Sequence, residues 1–364
     1  MLQKEKRIPT RLFEDDNKRA VDAVRDAQYI AFAPYIFHAS VLLRDKGILS
    51  YVEGARMEGC TIEEVSAKIA MPHYGIRILM EAGLGIGLLI RKEGKYYLSK
   101  TGHVFLNHPM ARINTDFMRD VCYDGAKDLE ASIMDSKPRG LKHLGPWETI
   151  YQGLSILPEP ANSSWFAFDH YYSDHAFPEI LPLVFECNPK RILDIGANTG
   201  KWAKACFTYN SEVPVGLLDL EVQLNVAKKN IEEAGFTSRA TFHIHNVLDN
   251  SIQLPGGYDV MFMSQFLDCF ADNEIVSILK KCHAALAENG RVFVNETFWD
   301  CQKFEGSAFS LQMTSLYFTT IANGNSQMYD SAVFLKLVNE AGFEVVRQLD
   351  NIGLSHTLLE LKKK

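Results

Sequence analysis

The chain is 364 residues long, 47% hydrophobic and 23% charged, with a formal charge of 38 − 45 = −7. That composition is globular and excludes a disordered or fibrous chain, and the length suits two or three domains with full cores. Net negative charge is a poor match for a phosphate backbone, so nucleic acid is not expected as the main partner.

The seven cysteines (Cys60, Cys122, Cys187, Cys206, Cys269, Cys282 and Cys301) are odd in number and widely spread. No pair forms a CxxC or a zinc-ligand spacing. They are expected as reduced core thiols of a cytosolic protein. The opening MLQKEKRIPT has charges but no apolar stretch behind it, so no signal peptide is expected. The longest apolar run, AGLGIGLLI from Ala82 to Ile90, is about half of what a bilayer needs, and no membrane span is expected.

Val21, Val24 and Ala27 suggest a first helix late in the charged amino-terminal stretch. A helix over Pro34 to Lys46 should stop at Gly47. Thr61 followed by Glu64 is a capping-box start for a helix running to about Ala70. A third helix over Tyr74 to Ala82 should end at Gly83. Two short strands, Leu88 to Ile90 and Tyr96 to Leu98, flank a polar turn with Gly94. Helices followed by a small hairpin make a winged-helix pattern. From Ser40 to Leu106 there are nine Lys/Arg against seven Asp/Glu, and the third helix offers only His73 and Arg77. That is a structural module and not a DNA reader.

Residues 107 to 185 are expected to be mostly helical and rich in aromatics. The run WFAFDHYYSDHAF, Trp165 to Phe177, interleaves Asp169, His170, Ser173, Asp174 and His175, which suits partial lining of a pocket.

From Arg191 strands alternate with helices, the pattern of a doubly wound parallel sheet. The expected strands are Arg191 to Gly196, Val215 to Leu220, Ala240 to Val247, Tyr258 to Asp268 and Gly290 to Glu296. Helices follow at Lys201 to Phe207, Gln223 to Ala234 and Asp272 to Ala287. A nucleoside site belongs at the carboxyl ends of such strands. Gly196 and Gly200 would let the backbone approach a ligand. Asp219 ends the second strand, where a carboxylate can accept ribose hydroxyls, and Asn246 ends the third, beside an adenine edge. The turn Gly196-Ala197-Asn198-Thr199-Gly200 is not GxGxxG, and Asp194 precedes it. An acid there repels pyrophosphate but suits a cation, so S-adenosylmethionine fits and NAD fits poorly.

DIGANTG, Asp194 to Gly200, resembles the first motif of class I S-adenosylmethionine-dependent methyltransferases. The whole chain is similar to the small-molecule O-methyltransferase family of the hydroxyindole and caffeate type. The resemblance implies an α/β fold: a Rossmann-like class I methyltransferase domain behind an N-terminal, mainly α, winged-helix dimerisation domain. The expected division is a dimerisation domain over 1–106, a helical substrate-pocket region over 107–185 and a cofactor-binding domain over 186–364. It also implies a homodimer and a small-molecule methyl acceptor, aromatic or polyketide-like. The candidate cofactor-binding set is Asp194, Gly196, Asn198, Gly200, Asp219, Leu220, Asn246, Val247, Ser264 and Gln265. Glu221 replaces the family's proline after Asp219-Leu220, and Asn246 stands at an aspartate position.

The family's general base is a histidine after the fourth strand. Here the matching residues are Leu267-Asp268-Cys269-Phe270, so Asp268 takes that position, while Glu296 matches the acid that braces the histidine. A later motif is reduced to Gly324-Asn325-Ser326-Gln327-Met328 and has lost its acid. A phenol with pKa about 10 facing an unperturbed Asp at about 3.9 leaves a gap of roughly 8 kcal/mol. Three escapes follow: Asp268 has its pKa raised by Glu296, another base such as His170 or His175 acts, or the acceptor needs little deprotonation. Asp268, Glu296 and His170 are therefore the catalytic candidates. N- or C-methylation, or a non-catalytic cofactor-binding regulator, are the alternatives.

Overall fold

The structure, a computed structural model, describes residues 12–173 and 175–364. The opening segment and Asp174 lie outside the described residues. The chain divides into a unit of residues 15–119 and one that holds residues 120–364.

The amino-terminal unit contains α1 (Ala20–Ala31), α2 (Ala33–Asp45), α3 (Ile48–Gly54), α4 (Ile62–Ser66) and α5 (His73–Ile86). Then come β1 (Leu89–Lys92), β2 (Lys95–Leu98), α6 (Lys100–Asn107) and α7 (Pro109–Phe117). The α4 start has its capping box: Thr61 Oγ1 accepts the Glu64 N–H at 3.2 Å, and Glu64 accepts the Thr61 N–H at 2.8 Å. β1 and β2 pair antiparallel around Gly94. The expected stop at Gly83 does not occur. Gly83 is buried mid-helix, where a Cβ would press on Leu89 and Leu43, and α5 ends at Gly87 with φ +88°. Leu43, Ile48, Leu49, Val65, Ile76 and Leu89 form this unit's core.

The second unit opens with α8 (Leu129–Asp135), α9 (Ala161–Ser173) and α10 (Phe177–Phe185). It continues with β3 (Ile192–Ile195), α11 (Lys201–Tyr209), β4 (Val215–Asp219), α12 (Glu221–Glu233) and β5 (Ala240–Ile244). β6 (Tyr258–Ser264), α13 (Asp272–Ala285), β7 (Leu286–Glu296), α14 (Glu305–Tyr317), α15 (Ser331–Glu340), β8 (Phe343–Ile352) and β9 (His356–Lys363) complete it. The sheet order is β5-β4-β3-β6-β7-β9-β8.

Strands β3 to β7 run parallel, but β9 pairs antiparallel with both β7 and β8, so the sheet is mixed and not wholly parallel. The central strands β3, β4 and β6 are apolar runs covered on both faces, as their burial requires, while edge strand β5 is part-exposed. Four expected strands are shorter than the sequence pattern, β3 keeping only Ile192–Ile195. β5 stops at Ile244, before Asn246, and β6 stops at Ser264, leaving Asp268 in a single 3-10 turn over Leu267–Cys269. β4 stops at Asp219, and α13 stops at Ala285, where β7 already begins. The Lys362-Lys363-Lys364 end is tied into the sheet region. Lys363 Nζ donates to the Leu286 carbonyl at 2.7 Å, and Lys362 pairs with Glu344 at 2.7 Å.

Candidate active site

A cavity of about 510 Å³ opens at the carboxyl ends of the parallel strands, within the second unit. One wall is the strand-end row Asp194, Gly196, Asn198, Asp219, Leu220, Asn246, Val247, Ser264 and Gln265. The facing wall comes from α9 and α14, with Trp165, Phe168, Asp169, His170 and Tyr317. The aromatic run thus lines a pocket.

The turn after β3 holds itself through Asp219. Its Oδ2 accepts the Asn198 N–H at 2.8 Å and its Oδ1 accepts the Leu220 N–H at 2.7 Å. Each carboxylate oxygen keeps acceptor capacity beyond that bond. Burial pushes the Asp219 carboxyl up to about 6, against the pull of those two N–H groups. Gly196 and Gly200 both sit at positive φ, the left-handed region that favours glycine. A Cβ on Gly196 would lie 2.2 Å from the Phe266 ring, and one on Gly200 would press on Ala227 and Leu217. Positive φ and close packing together favour glycine at both positions, and Gly196 also lines the cavity. Gly200 is not part of the cavity wall.

The donor set suits a cation. Asp194 is 3% exposed, and its Oδ2 has no hydrogen-bond partner among the described residues. A buried carboxylate oxygen left so is costly unless a donor or positive charge meets it. Burial, then the Asp219 charge, holds the Asp194 carboxyl well above its ordinary range, with the Ala203 N–H opposing. Glu148, Asp169, Asp194, Asp219, Asp268 and Glu274 line the cavity, against one lysine, Lys201. A sulfonium with an ammonium arm fits this lining, whereas a diphosphate would be repelled.

Asp268 is 4% exposed and reaches the cavity. Burial raises it to about 7, with the Asp169 charge adding and the Cys269 thiol, donating to Oδ1 at 3.5 Å, opposing. The expectation gave Glu296 the main part in that rise; burial is the first cause. Glu296 lies behind the turn, off the cavity wall. Its Oε1 accepts the N–H groups of Phe266 at 3.0 Å and Leu267 at 2.8 Å. It braces backbone, where the family resemblance had it bracing the base side chain. Burial, then the Asp268 charge, pushes Glu296 well above the ordinary carboxylate range.

His170 lines the cavity, with Nε2 3.9 Å from Asp169 Oδ2. His175 does not. It is exposed, and its Nδ1 meets the Tyr171 carbonyl at 2.6 Å. Two cysteines also depart from the core expectation: Cys187 is exposed and Cys269 is half-buried on the cavity wall. Tyr151, His245, Phe266, Tyr317 and Asn323 line the cavity without having been singled out. The aromatic bias of residues 107 to 185 hinted at Tyr151, and nothing in the pattern pointed to Tyr317.

Residues 24–96 match the Dimerisation2-like domain, and residues 185–344 match the O-methyltransferase domain. The chain is an S-adenosylmethionine-dependent methyltransferase. The methyltransferase is 22% identical over 302 residues to the L-tyrosine C(3)-methyltransferase of Streptomyces lavendulae, covering 81% of each chain. It is 22% identical over 290 residues to the demethylspheroidene O-methyltransferase of Cereibacter sphaeroides, covering 79% of this chain and 74% of that one. Its fold is that of the S-adenosylmethionine-dependent methyltransferase SibL, with a TM-score of 0.71, 22% identity and coverage of 93% and 98%. No described helix is long and apolar enough to cross a membrane.

Proposed function

We propose that the enzyme methylates an oxygen of a small aromatic or polyketide-like acceptor held between α9, α14 and the Leu267–Cys269 turn, with Asp268 taking the departing proton. S-adenosylmethionine supplies an electrophilic methyl on its sulfonium. Asp219 would accept the ribose hydroxyls, Asn246 and Val247 would meet the adenine, and the turn from Gly196 to Asn198 with Ser264 and Gln265 would hold the rest.

The observation that carries this reading is a buried carboxyl on the wall shared with the nucleoside row. At about 7, Asp268 narrows the gap to a phenol from roughly 8 to about 4 kcal/mol. It is then as good a base as an imidazole. Glu296 keeps the turn in place, and His170 is the second candidate base on the same wall.

A C-methylation reading stands beside it, favoured by the tyrosine C(3)-methyltransferase relative. A phenolate is nucleophilic at its ortho carbon too, so the same base serves both. Transfer of labelled methyl to a panel of phenols, with the products resolved by NMR, tests both. An O-methyl or ring-methyl product that disappears with Asp268→Asn supports the assignment. Undiminished turnover by that variant removes Asp268 from the base role.

A homodimer is part of the proposal. Helix α1 has no buried residue, yet Val21, Val24 and Ile30 are 66%, 62% and 78% exposed. Apolar surface of that kind in a Dimerisation2-like domain suits a second copy of the chain. The scattered, odd set of cysteines suits a reducing compartment such as the cytosol.

A further inference from the structure

The turn after β5 contributes Asn246, Val247 and Leu248 to the cavity. It closes on itself: Asn246 Oδ1 accepts the Leu248 N–H at 3.0 Å, and the Asn246 carbonyl accepts the Asp249 N–H at 2.9 Å. These bonds leave the carbonyls of Val247 and Asp249 to be met from outside. Lys281, half-buried on α13, does so, with Nζ 2.6 Å from the Val247 oxygen and 2.8 Å from the Asp249 oxygen. Charge-assisted bonds of this length are about twice as strong as neutral ones. A second tie from the same helix, Ser277 Oγ to Asn250 Oδ1 at 3.2 Å, is neutral and longer.

We propose that Lys281 is a positioning residue for the nucleobase, its ammonium locking the 246–249 turn in the shape that presents the Asn246 amide to the base. The inference rests on the placement of adenine against Asn246 given above. With Asn246 Oδ1 engaged by Leu248, the side chain offers its Nδ2 donor. Adenine presents an acceptor at N1, and hypoxanthine presents a donor there, so a turn held in this shape selects adenine. Lys281 acts through the Val247 and Asp249 carbonyls.

Calorimetry on the full chain with S-adenosylhomocysteine and S-inosylhomocysteine tests it without any methyl acceptor. The wild-type protein should bind the adenosyl form at least tenfold more tightly. Lys281→Met should weaken adenosyl binding about tenfold and shrink the preference between the two ligands, while Lys281→Arg keeps both near wild type. Unchanged affinity and preference in Lys281→Met overturn the inference. So does a loss of both ligands in equal measure together with a lowered melting temperature, which marks a structural role only. Asn246→Ala separates the two claims. If it leaves adenosyl affinity intact, the nucleobase placement falls and Lys281's role with it. If it weakens binding while Lys281→Met does not, only the lysine's role is lost.

Discussion

A carboxylic acid can stand in for an imidazole as a base only when its surroundings raise its hold on a proton. Asp268 is placed for that, and the placement has a cost. Its folded value of about 7 lies above the unfolded value near 3.9, so the folded protein binds the extra proton between them. Stability therefore falls as pH rises through that window, by up to about 4 kcal/mol. Asp268→Asn should be more stable than wild type at pH 8 in urea titrations, with the difference vanishing at pH 4.

His356 titrates with the opposite sign. It is fully buried, neither ring nitrogen has a partner among the described residues, and burial lowers it to about 4. The unfolded chain binds the proton first, near 6.5, so stability is lost as pH falls from there towards 4, by about 3 kcal/mol. His356→Leu should flatten that limb in unfolding titrations at pH 4 to 7, and an unchanged limb would show that His356 does not carry it.

At the scale of elements, glycine is where pattern and packing part company. Gly196 combines φ +77° with a Cβ position 2.2 Å from the Phe266 ring. Gly196→Ala should lower both thermal stability and S-adenosylhomocysteine affinity. Adding Phe266→Ala should recover only the part due to the clash, because the backbone strain of about 1 kcal/mol or more remains. Affinity unchanged by the single substitution would mean the turn does not shape the cofactor wall.

The same contrast explains what was legible in the sequence. The Thr61 capping box, the Gly94 hairpin and the five parallel strands follow from local chemistry, and their signals are local. Gly83 carries the same local signal as a true helix stop, but close packing against Leu89 overrides it. Helix α3 is only seven residues long and lacks a side-chain cap, so nothing in the pattern announces it. The strand-end row was legible because each member follows an apolar run. Tyr151, Tyr317 and Asn323 were not, because tertiary folding alone brings them to the cavity. Glu296 was found by position, while its partners, two backbone N–H groups, became visible only in three dimensions.

For the whole molecule, the exposed apolar side chains of α1 are the feature with the largest consequence. A stable interface must cover such surface, and a charge placed on it is costly to bury. Val24→Asp with Ile30→Asp should convert the protein from two chains to one in size-exclusion chromatography with light scattering. Binding of S-adenosylhomocysteine should persist, since the cavity is lined only by residues 148–328. A wild-type protein that elutes as a single chain would contradict the dimer.

The pH dependence of methyl transfer, measured for wild type and Asp268→Asn on one accepted phenol, bears most directly on the chemistry. A base must be ionised to act, so wild-type kcat should rise through about pH 7. Asp268→Asn should lose that limb and about a hundredfold or more in rate. The same limb at the same pH in Asp268→Asn, with turnover preserved, would contradict a carboxylate base at this site.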